Sequence, residues 1–432
     1  MALNKRDQEN MQETNNCWPL ASDACVVIVG AGQAGGWAAH TLRKEGFGGS
    51  ITLVGDESWQ PYERPPLSKS ILMGSAEPLS THLFSDADWA ALDINWISSR
   101  RVCSIDRQAH TLLLDDGSRL HWNRLILCTG GRSRTLTPDG MDETCETLRT
   151  LDDALRLRHR LRAAQRLLVI GGGWIGLEVA ATARELGLDV TLVEAGDRLC
   201  ARALPPNMSS WLKELHGRHG VRIMLNTAVS SACKQADGSF EVRLSPAGEL
   251  GETLVVDLVI AGIGMIANDE LASAAGLACT EGVVVDASCR TSDPDIFAAG
   301  DVAVSPNSWM GRRCRLESWQ NAQEQGIAAA RAVMGHAVLH DPIPWFWSEQ
   351  FGVNLQIQGV VCDADQLVTR EMAKASGDIR AIHFYLRAGH LRGVVGMNAA
   401  KEVRASKKLI ATHASPDLAA LADALVPLSQ LG

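Results

Sequence analysis

The chain reads Cys25-Val-Val-Ile-Val-Gly-Ala-Gly-Gln-Ala-Gly35, an apolar β-branched run followed by three glycines with the spacing G-x-G-x-x-G. The apolar run predicts a buried parallel strand, and the helix-compatible stretch and second apolar run that follow complete a βαβ unit. Gly30 permits the tight turn, Gly32 lets the backbone approach a pyrophosphate, and Gly35 permits close packing of the helix on the strand. The first free N–H groups of the helix then face the phosphates.

A second copy of this pattern reads Leu167-Leu-Val-Ile-Gly-Gly-Gly-Trp-Ile-Gly176 and is followed by another apolar run at residues 190–193. Each unit has a carboxylate near the end of its second strand, Asp56 in the first (with Glu57 as the alternative) and Glu194 in the second. A carboxylate there accepts hydrogen bonds from a free 2′-hydroxyl and repels a 2′-phosphate. The second site is therefore predicted to bind NAD, although the nearby Arg198 and Arg202 leave NADP open.

Two such copies indicate two bound dinucleotides. A single glycine motif also serves as a plain strand–helix connector, but two copies, each in the order strand, motif, helix, strand, acid, favour dinucleotide binding. The reaction that needs two dinucleotides side by side is hydride transfer between a nicotinamide and a flavin.

Composition excludes several other classes of protein. The 432 residues carry a net charge of -9 and are 46% hydrophobic, which predicts about three globular domains and no nucleic-acid partner. A membrane span needs about 18 consecutive apolar residues, and no such stretch occurs. The residues before Ala24 lack the apolar core of a signal peptide, so a cytoplasmic location is expected.

His216 and His219 have no cysteine or carboxylate to complete a metal site, and no metal is predicted.

The C-terminal part has a different pattern. Beyond about residue 340 the aromatic cluster Trp345-Phe-Trp347 is followed by the alternating stretch at residues 353–358. Alternation of apolar and polar residues is typical of an antiparallel sheet with one buried face. A smaller third domain is therefore predicted there.

Further motifs extend the match to one family over nearly the whole chain after residue 24. They are Pro61-Tyr-Glu-Arg-Pro-Pro-Leu-Ser-Lys69, Thr129-Gly-Gly-Arg-Ser-Arg134, Ala261-Gly-Ile-Gly264, Thr291-Ser-Asp-Pro294, Ala298-Ala-Gly-Asp301 and Trp345-Phe-Trp-Ser348. Together with the two glycine motifs, they resemble the FAD-dependent NADH:ferredoxin reductases that serve bacterial aromatic-ring dioxygenases and cytochrome P450 systems.

The resemblance implies an α/β fold with two Rossmann-like dinucleotide-binding domains, as in glutathione reductase, and a smaller α+β C-terminal domain. The FAD domain would be discontinuous, with residues 24–131 and 266–340, around an NAD domain at residues 132–265 and before a C-terminal domain at residues 341–432. It further implies non-covalent FAD, NADH as electron donor, a [2Fe-2S] ferredoxin as partner, and indirectly a terminal oxygenase.

The resemblance also implies the site residues, with no protein nucleophile. Lys69, Glu178, Asp301 and Trp319 would lie near the flavin. Residues implied for FAD are Gly30, Gly32, Ala34, Gly35, Asp56, Arg64, Lys69, Val102, Arg149, Asp301 and Trp319. Residues implied for NAD are Gly171, Gly173, Ile175, Gly176, Glu178, Glu194, Arg202, Gly264 and Glu317.

Two other functions are weighed against electron transfer to ferredoxin. The first is a flavin-dependent NADH oxidase or disulfide reductase. Such enzymes need a redox-active cysteine beside the flavin, and no cysteine lies between Asp56 and Val102. The second is an NADH-responsive interaction protein similar to apoptosis-inducing factor, which would show slow turnover with every acceptor.

Overall fold

The structure is a computed structural model that describes residues 21, 23–136, 145–246, 251–372 and 379–431. The chain forms two compact units. The first contains the described residues of Met1–Glu63, His82–Gly131 and Ala267–Pro342; the second contains those of Arg64–Thr81, Arg132–Ile266 and Ile343–Gly432. The N-terminal residues behind the expected cytoplasmic location lie almost entirely outside the described residues. The three-domain boundaries stay a prediction.

The first unit is built around a five-stranded parallel sheet. Its inner strands are buried on both faces, and Val26, Val27 and Ile28 have no exposed surface, because helices and loops cover both sides of a parallel sheet. In sheet order the strands are Ile296–Ala298, Arg124–Leu127, Cys25–Val29, Ser50–Val54 and Asn95–Ile97.

Smaller elements complete the first unit. One antiparallel sheet consists of Val102–Asp106, Thr111–Leu114 and Arg119–His121, and a second small sheet consists of Val283–Val284, Ala303–Asn307 and Arg312–Cys314. The helices are Gln33–Lys44, Asp86–Ala90, Glu270–Ala274 and Trp319–Val333, with a 3-10 turn at Gly300–Val302.

The second unit repeats the parallel architecture. Its five-stranded sheet has the order Arg222–Met224, Asp189–Val193, Arg166–Ile170, Leu258–Ala261 and Cys145–Thr147. An antiparallel sheet of Thr227–Lys234, Phe240–Pro246 and Thr253–Val256 follows. The helices in this part are Ser70–Met73, Leu151–Ala163, Trp174–Glu185 and Pro206–Arg218, with 3-10 turns at Pro65–Ser68 and Pro78–Thr81. Two short strands, Gly131–Ser133 and Met265–Ala267, span the unit boundaries.

The C-terminal part of the second unit is the antiparallel sheet that the alternating pattern predicts. In sheet order its strands are Trp345–Gln350, Val353–Gly359, His390–Met397, Ala381–Arg387 and Gln366–Glu371. Helices Ala400–Ala411 and Leu418–Ala422 and a 3-10 turn at Leu428–Gln430 complete it. The predicted fold class, two Rossmann-like parts and a smaller α+β part, is confirmed.

None of the helices in the described part of the chain has both the length and the apolar character needed to span a bilayer.

The ten described cysteines carry free thiols. Burial raises the pKa of Cys128 and of Cys145 to about 12. Such thiols stay protonated near neutral pH and are therefore poor nucleophiles.

Candidate functional site

The first glycine motif adopts a turn that only glycine fits. Gly30 has a φ of +107°, and a Cβ there would lie 2.1 Å from the carbonyl oxygen of Cys128. A Cβ on Gly35 would lie 1.9 Å from the carbonyl oxygen of Gly30. Both distances are far inside van der Waals contact, so the two glycines bring the helix Gln33–Lys44 against the end of the central strand.

The N-terminus of this helix fits a phosphate-bearing ligand. Gly32 caps the helix without a side-chain hydrogen bond, whereas the helix that follows Thr150 has a complete capping box. Gln33 is buried, and neither polar atom of its amide has a partner among the described residues. Buried amides without partners are rare, and a polar ligand here would satisfy both the amide and the free N–H groups of the helix.

The carboxylate at the end of the second strand is accessible. Asp56 is exposed, and its Oδ2 lies 3.3 Å from the Arg101 guanidinium. The alternative acid, Glu57, already accepts a hydrogen bond of 2.6 Å from the Tyr62 hydroxyl. This arrangement favours Asp56 as the ribose acceptor. Val102 is buried at the start of its strand.

Asp301 and Trp319 lie in the same unit as this glycine motif. A Cβ on Gly300 would be 2.9 Å from the Ala34 side chain, so Gly300 lies against the motif helix. Asp301 is the next residue in the sequence. The backbone N–H of Gly300 donates to Gln325 Oε1 at 2.9 Å. Trp319 begins its helix, and burial raises the pKa of the Glu63 carboxyl.

The second glycine motif has the same backbone geometry in the second unit. Gly171 has a φ of +104°, and a Cβ on Gly176 would lie 2.1 Å from the Gly171 carbonyl oxygen. At Gly173 the nearest atom to a Cβ is 3.7 Å away, so the space before the helix Trp174–Glu185 is open. The N-cap residue of this helix, Gly173, likewise makes no side-chain cap, and Ile175 is 43% exposed beside it. The residues present fit a dinucleotide.

Glu194 is held in place by the backbone. Its Oε2 accepts from the Gly172 N–H at 2.6 Å and its Oε1 from the Gly196 N–H at 2.7 Å. A carboxylate oxygen can accept more than one hydrogen bond, so both oxygens keep capacity for a ribose. Arg202 is exposed, with its guanidinium 3.3 Å from the position of a Cβ on Gly264.

A partly buried ion pair lies beside this motif. Lys69 Nζ is 2.7 Å from Glu178 Oε2, and the two side chains are 21% and 5% exposed. The Ser68 hydroxyl also donates to Glu178 Oε2, and the Ser348 hydroxyl donates to Oε1 at 2.6 Å. These hydrogen bonds offset the cost of removing the carboxylate from water.

The structure thus brings the predicted residues together in two groups. Arg64, whose guanidinium donates to the Arg149 carbonyl oxygen, lies with Lys69 in the second unit. Glu317, expected on the NAD side, lies in the first unit and pairs with Arg315 at 2.9 Å. Their predicted roles stay predictions.

Sequence reasoning missed Ser68, Ser348 and Gln33. Ser68 and Ser348 stand 110 and 170 positions from Glu178, so no local spacing could connect them. Both lie within quoted motifs, which is the one signal that could have directed attention to them. Gln33 lies inside the first glycine motif and could have been singled out as a polar residue at a buried helix N-terminus.

Comparisons with known proteins agree with this geometry. Residues 24–326 match the family described as pyridine nucleotide-disulphide oxidoreductase, and residues 345–432 match the family described as reductase C-terminal. The chain is 40% identical over 392 residues to the 3-phenylpropionate/cinnamic acid dioxygenase ferredoxin--NAD(+) reductase component of Photorhabdus laumondii subsp. laumondii. That alignment covers 90% of this chain and 96% of the relative.

Two solved structures are similar over almost the full length. Putidaredoxin reductase, in its covalent complex with putidaredoxin, is 37% identical with a TM-score of 0.88, and the match covers 95% of this chain and 98% of that one. The ferredoxin reductase for the CYP199A2 system from Rhodopseudomonas palustris is 37% identical with a TM-score of 0.87, and the match covers 94% and 99%.

Proposed function

The chain belongs to the pyridine nucleotide-disulphide oxidoreductase family, and we propose that it is an FAD-dependent NADH:ferredoxin reductase. Electrons pass from NADH through FAD to a [2Fe-2S] ferredoxin that serves an oxygenase. The observation that carries the proposal is the pair of glycine motifs, each with an uncapped helix N-terminus and each followed by a carboxylate at the end of the next strand. Relatives named as ferredoxin reductases, at 37 to 40% identity over nearly the whole chain, support it.

The first unit supplies most of the FAD site in this proposal. Gly30, Gly32, Ala34 and Gly35 shape the approach to the pyrophosphate, and Gln33 offers its amide to a polar group of the cofactor. Asp56 binds a ribose. Val102, Asp301 and Trp319 complete this part, and Arg64, Lys69 and Arg149 remain in the predicted set of FAD residues. Bound FAD supplies the chemistry that joins a two-electron donor to a one-electron acceptor.

The second unit supplies the NADH site. The backbone N–H groups after Gly173 bind the pyrophosphate, and Glu194 accepts hydrogen bonds from the ribose hydroxyls. Ile175 makes an apolar contact with the nucleotide. Gly171, Gly176 and Gly264 keep the backbone close, and Arg202 completes the part of the predicted set that lies in this unit. Glu317, which lies in the first unit, stays a separate prediction. Lys69 and Glu178 form a partly buried ion pair, and we propose that this pair lies beside the reacting rings. Groups that are already oriented need no reorganisation during the reaction.

Two observations oppose the rival functions. The segment that holds Lys69 has no cysteine, as a disulfide reductase or NADH oxidase would require. The net charge of -9 opposes the nucleic-acid-attracting surface of an interaction protein similar to apoptosis-inducing factor. A cytoplasmic location forms part of the proposal, supported by the ferredoxin reductases that the chain resembles.

The test is NADH oxidation by the purified flavoprotein with and without a [2Fe-2S] ferredoxin coupled to cytochrome c. We expect the ferredoxin to raise cytochrome c reduction at least about tenfold and NADH to be preferred over NADPH. Fast reduction of oxygen or a disulfide without ferredoxin would favour the oxidase alternative. An NADH–flavin complex that no acceptor discharges would favour the interaction protein.

A further inference from the structure

A chain of hydrogen bonds runs through the interior of the second unit and ends on Glu178. His216 Nε2 lies 2.7 Å from Gln350 Oε1, the Gln350 Nε2 donates to Ser348 Oγ at 2.9 Å, and Ser348 Oγ donates to Glu178 Oε1 at 2.6 Å. None of these four residues is more than 5% exposed. Water therefore does not compete for these bonds.

Three elements hold the chain in place. Ser348 and Gln350 lie two positions apart on the strand Trp345–Gln350 and so face the same side of the sheet. Glu178 lies on the helix Trp174–Glu185, and His216 on the buried side of the helix Pro206–Arg218. The His216 ring also packs edge-on against Phe351 at 5.0 Å, on which His219 stacks at 3.9 Å.

The direction of donation follows from the chemistry of the groups. An ionised Glu178 can only accept hydrogen bonds. The Ser348 hydroxyl therefore donates its one hydrogen to Glu178 Oε1 and accepts a hydrogen bond from Gln350. Gln350 then presents its amide NH₂ to Ser348 and its oxygen to His216. His216 must therefore carry a hydrogen on Nε2.

The surroundings of His216 favour the neutral ring that this pattern needs. Its Nδ1 is buried with no hydrogen-bond partner among the described residues. A charged imidazole would carry a second N–H there with nothing to accept it. Burial accordingly lowers the pKa of His216 to about 4.

We propose that His216 is a positioning residue for the Lys69–Glu178 pair: its Nε2–H tautomer fixes the Gln350 amide and so commits the Ser348 hydrogen to Glu178 Oε1. Glu178 Oε2 is then left to Ser68 and Lys69. If the Gln350 amide were flipped, Ser348 would donate to the amide oxygen and Glu178 Oε1 would lose its partner. The carboxylate could then rotate, and the Lys69 ammonium would lose its fixed position. The inference rests on the proposed function only in placing the ion pair at the redox site.

The test compares His216→Gln, which keeps a donor near the position of Nε2, with His216→Met, which removes it. Gln350→Met breaks the chain one step nearer Glu178. His219→Gln and His219→Met are the matched controls, because His219 contacts the same Phe351 ring outside the chain. The limiting rate of flavin reduction by NADH and the affinity for NADH are measured anaerobically on the holoenzymes, without ferredoxin.

We expect His216→Met and Gln350→Met to lower the limiting rate about fivefold while the affinity changes by less than about twofold. His216→Gln should retain the rate, and both control variants should match the unchanged protein. Equal rates in His216→Met and His216→Gln would overturn the proposal.

A second readout does not depend on activity. In protein labelled with ¹⁵N-histidine, the imidazole signal that disappears in His216→Gln identifies His216, and near neutral pH it should be that of a neutral ring protonated on Nε2. If that same ring is protonated on Nδ1, or on both nitrogens, the proposal is contradicted even if the methionine variants fail to fold. Failure of the unchanged protein to reduce ferredoxin would instead overturn the proposed function and leave both of these readouts intact.

Discussion

We expect the preference between NADH and NADPH to depend on one carboxylate, Glu194. Its oxygens are fixed by two backbone N–H groups, so the charge cannot swing away from a 2′-substituent. Arg198, which the sequence left as a possible 2′-phosphate ligand, donates to the carbonyl oxygens of Leu204 and Ala201 at 2.6 and 2.7 Å. Its guanidinium is largely occupied by these backbone bonds, whereas Arg202, the other arginine that leaves NADP open, is exposed.

Glu194→Gln removes the charge but keeps the shape of the side chain. The repulsion of a 2′-phosphate falls, so we expect the ratio of kcat/KM for NADH over NADPH to decrease about tenfold. Asp189→Asn removes the same charge at the far end of the same strand, where the side chain is 89% exposed. That control should leave the ratio unchanged, and an unchanged ratio in Glu194→Gln would contradict the role of Glu194.

At the scale of elements, the first unit depends on close contact between two helices. A Cβ on Gly326, in the helix Trp319–Val333, would lie 2.4 Å from the carbonyl oxygen of Ala34 in the first motif helix. The neighbouring Gln325 accepts the Gly300 N–H, so this helix also positions the turn that carries Asp301. The glycine thus links both parts of the predicted FAD site.

Gly326→Ala should push the two helices apart. We expect a loss of about 3 kcal/mol in the free energy of unfolding, because the clash is with backbone and cannot be relieved by a side-chain rotation. FAD retention on gel filtration should fall in parallel. Gly217→Ala is the control: this helical glycine has no atom within 4 Å of an added Cβ, and the change should alter stability by less than about 1 kcal/mol. Equal FAD retention in the two variants would contradict this account.

Across the whole molecule, each unit buries a neutral histidine. Burial lowers the pKa of His216 in the second unit and of His340 in the first from 6.5 to about 4. His340 Nε2 lies 3.0 Å from Asn321 Oδ1. Burial lowers the pKa values of His40 and His383 in the same direction. These groups connect the stability of both units to pH.

Acidification should therefore destabilise the protein through these histidines. Between about pH 6.5 and pH 4 the unfolded chain binds protons at these histidines and the folded chain does not, so the free energy of unfolding falls as the pH falls. His216 and His340 should each contribute about 3 kcal/mol over this window. Denaturant unfolding at several pH values would measure it. His340→Gln should flatten the dependence, and an equal slope in this variant would show that His340 is not involved.

Sequence patterns alone predicted the two βαβ units, the turns at Gly30 and Gly171, the antiparallel C-terminal sheet and the binding of dinucleotides. These features can be predicted because their signals are local. The apolar strand, the glycine spacing and the acid at the end of the next strand all lie within about 30 residues of sequence. The alternation of apolar and polar residues at 353–358 is likewise a local signal, since it depends only on which face of that one strand is buried.

The hydrogen-bond partners of Glu178 and Arg198 could not be predicted from sequence, because they depend on tertiary contacts. Glu178 receives hydrogens from Ser68 and Ser348, which stand 110 and 170 positions away. Whether the Arg198 guanidinium is available to bind a phosphate depends on the backbone carbonyl groups of the following loop, which accept its hydrogen bonds. Hydrogen-bond partnership is set by how separate segments pack, and a buried polar group takes whichever partner that packing brings within reach.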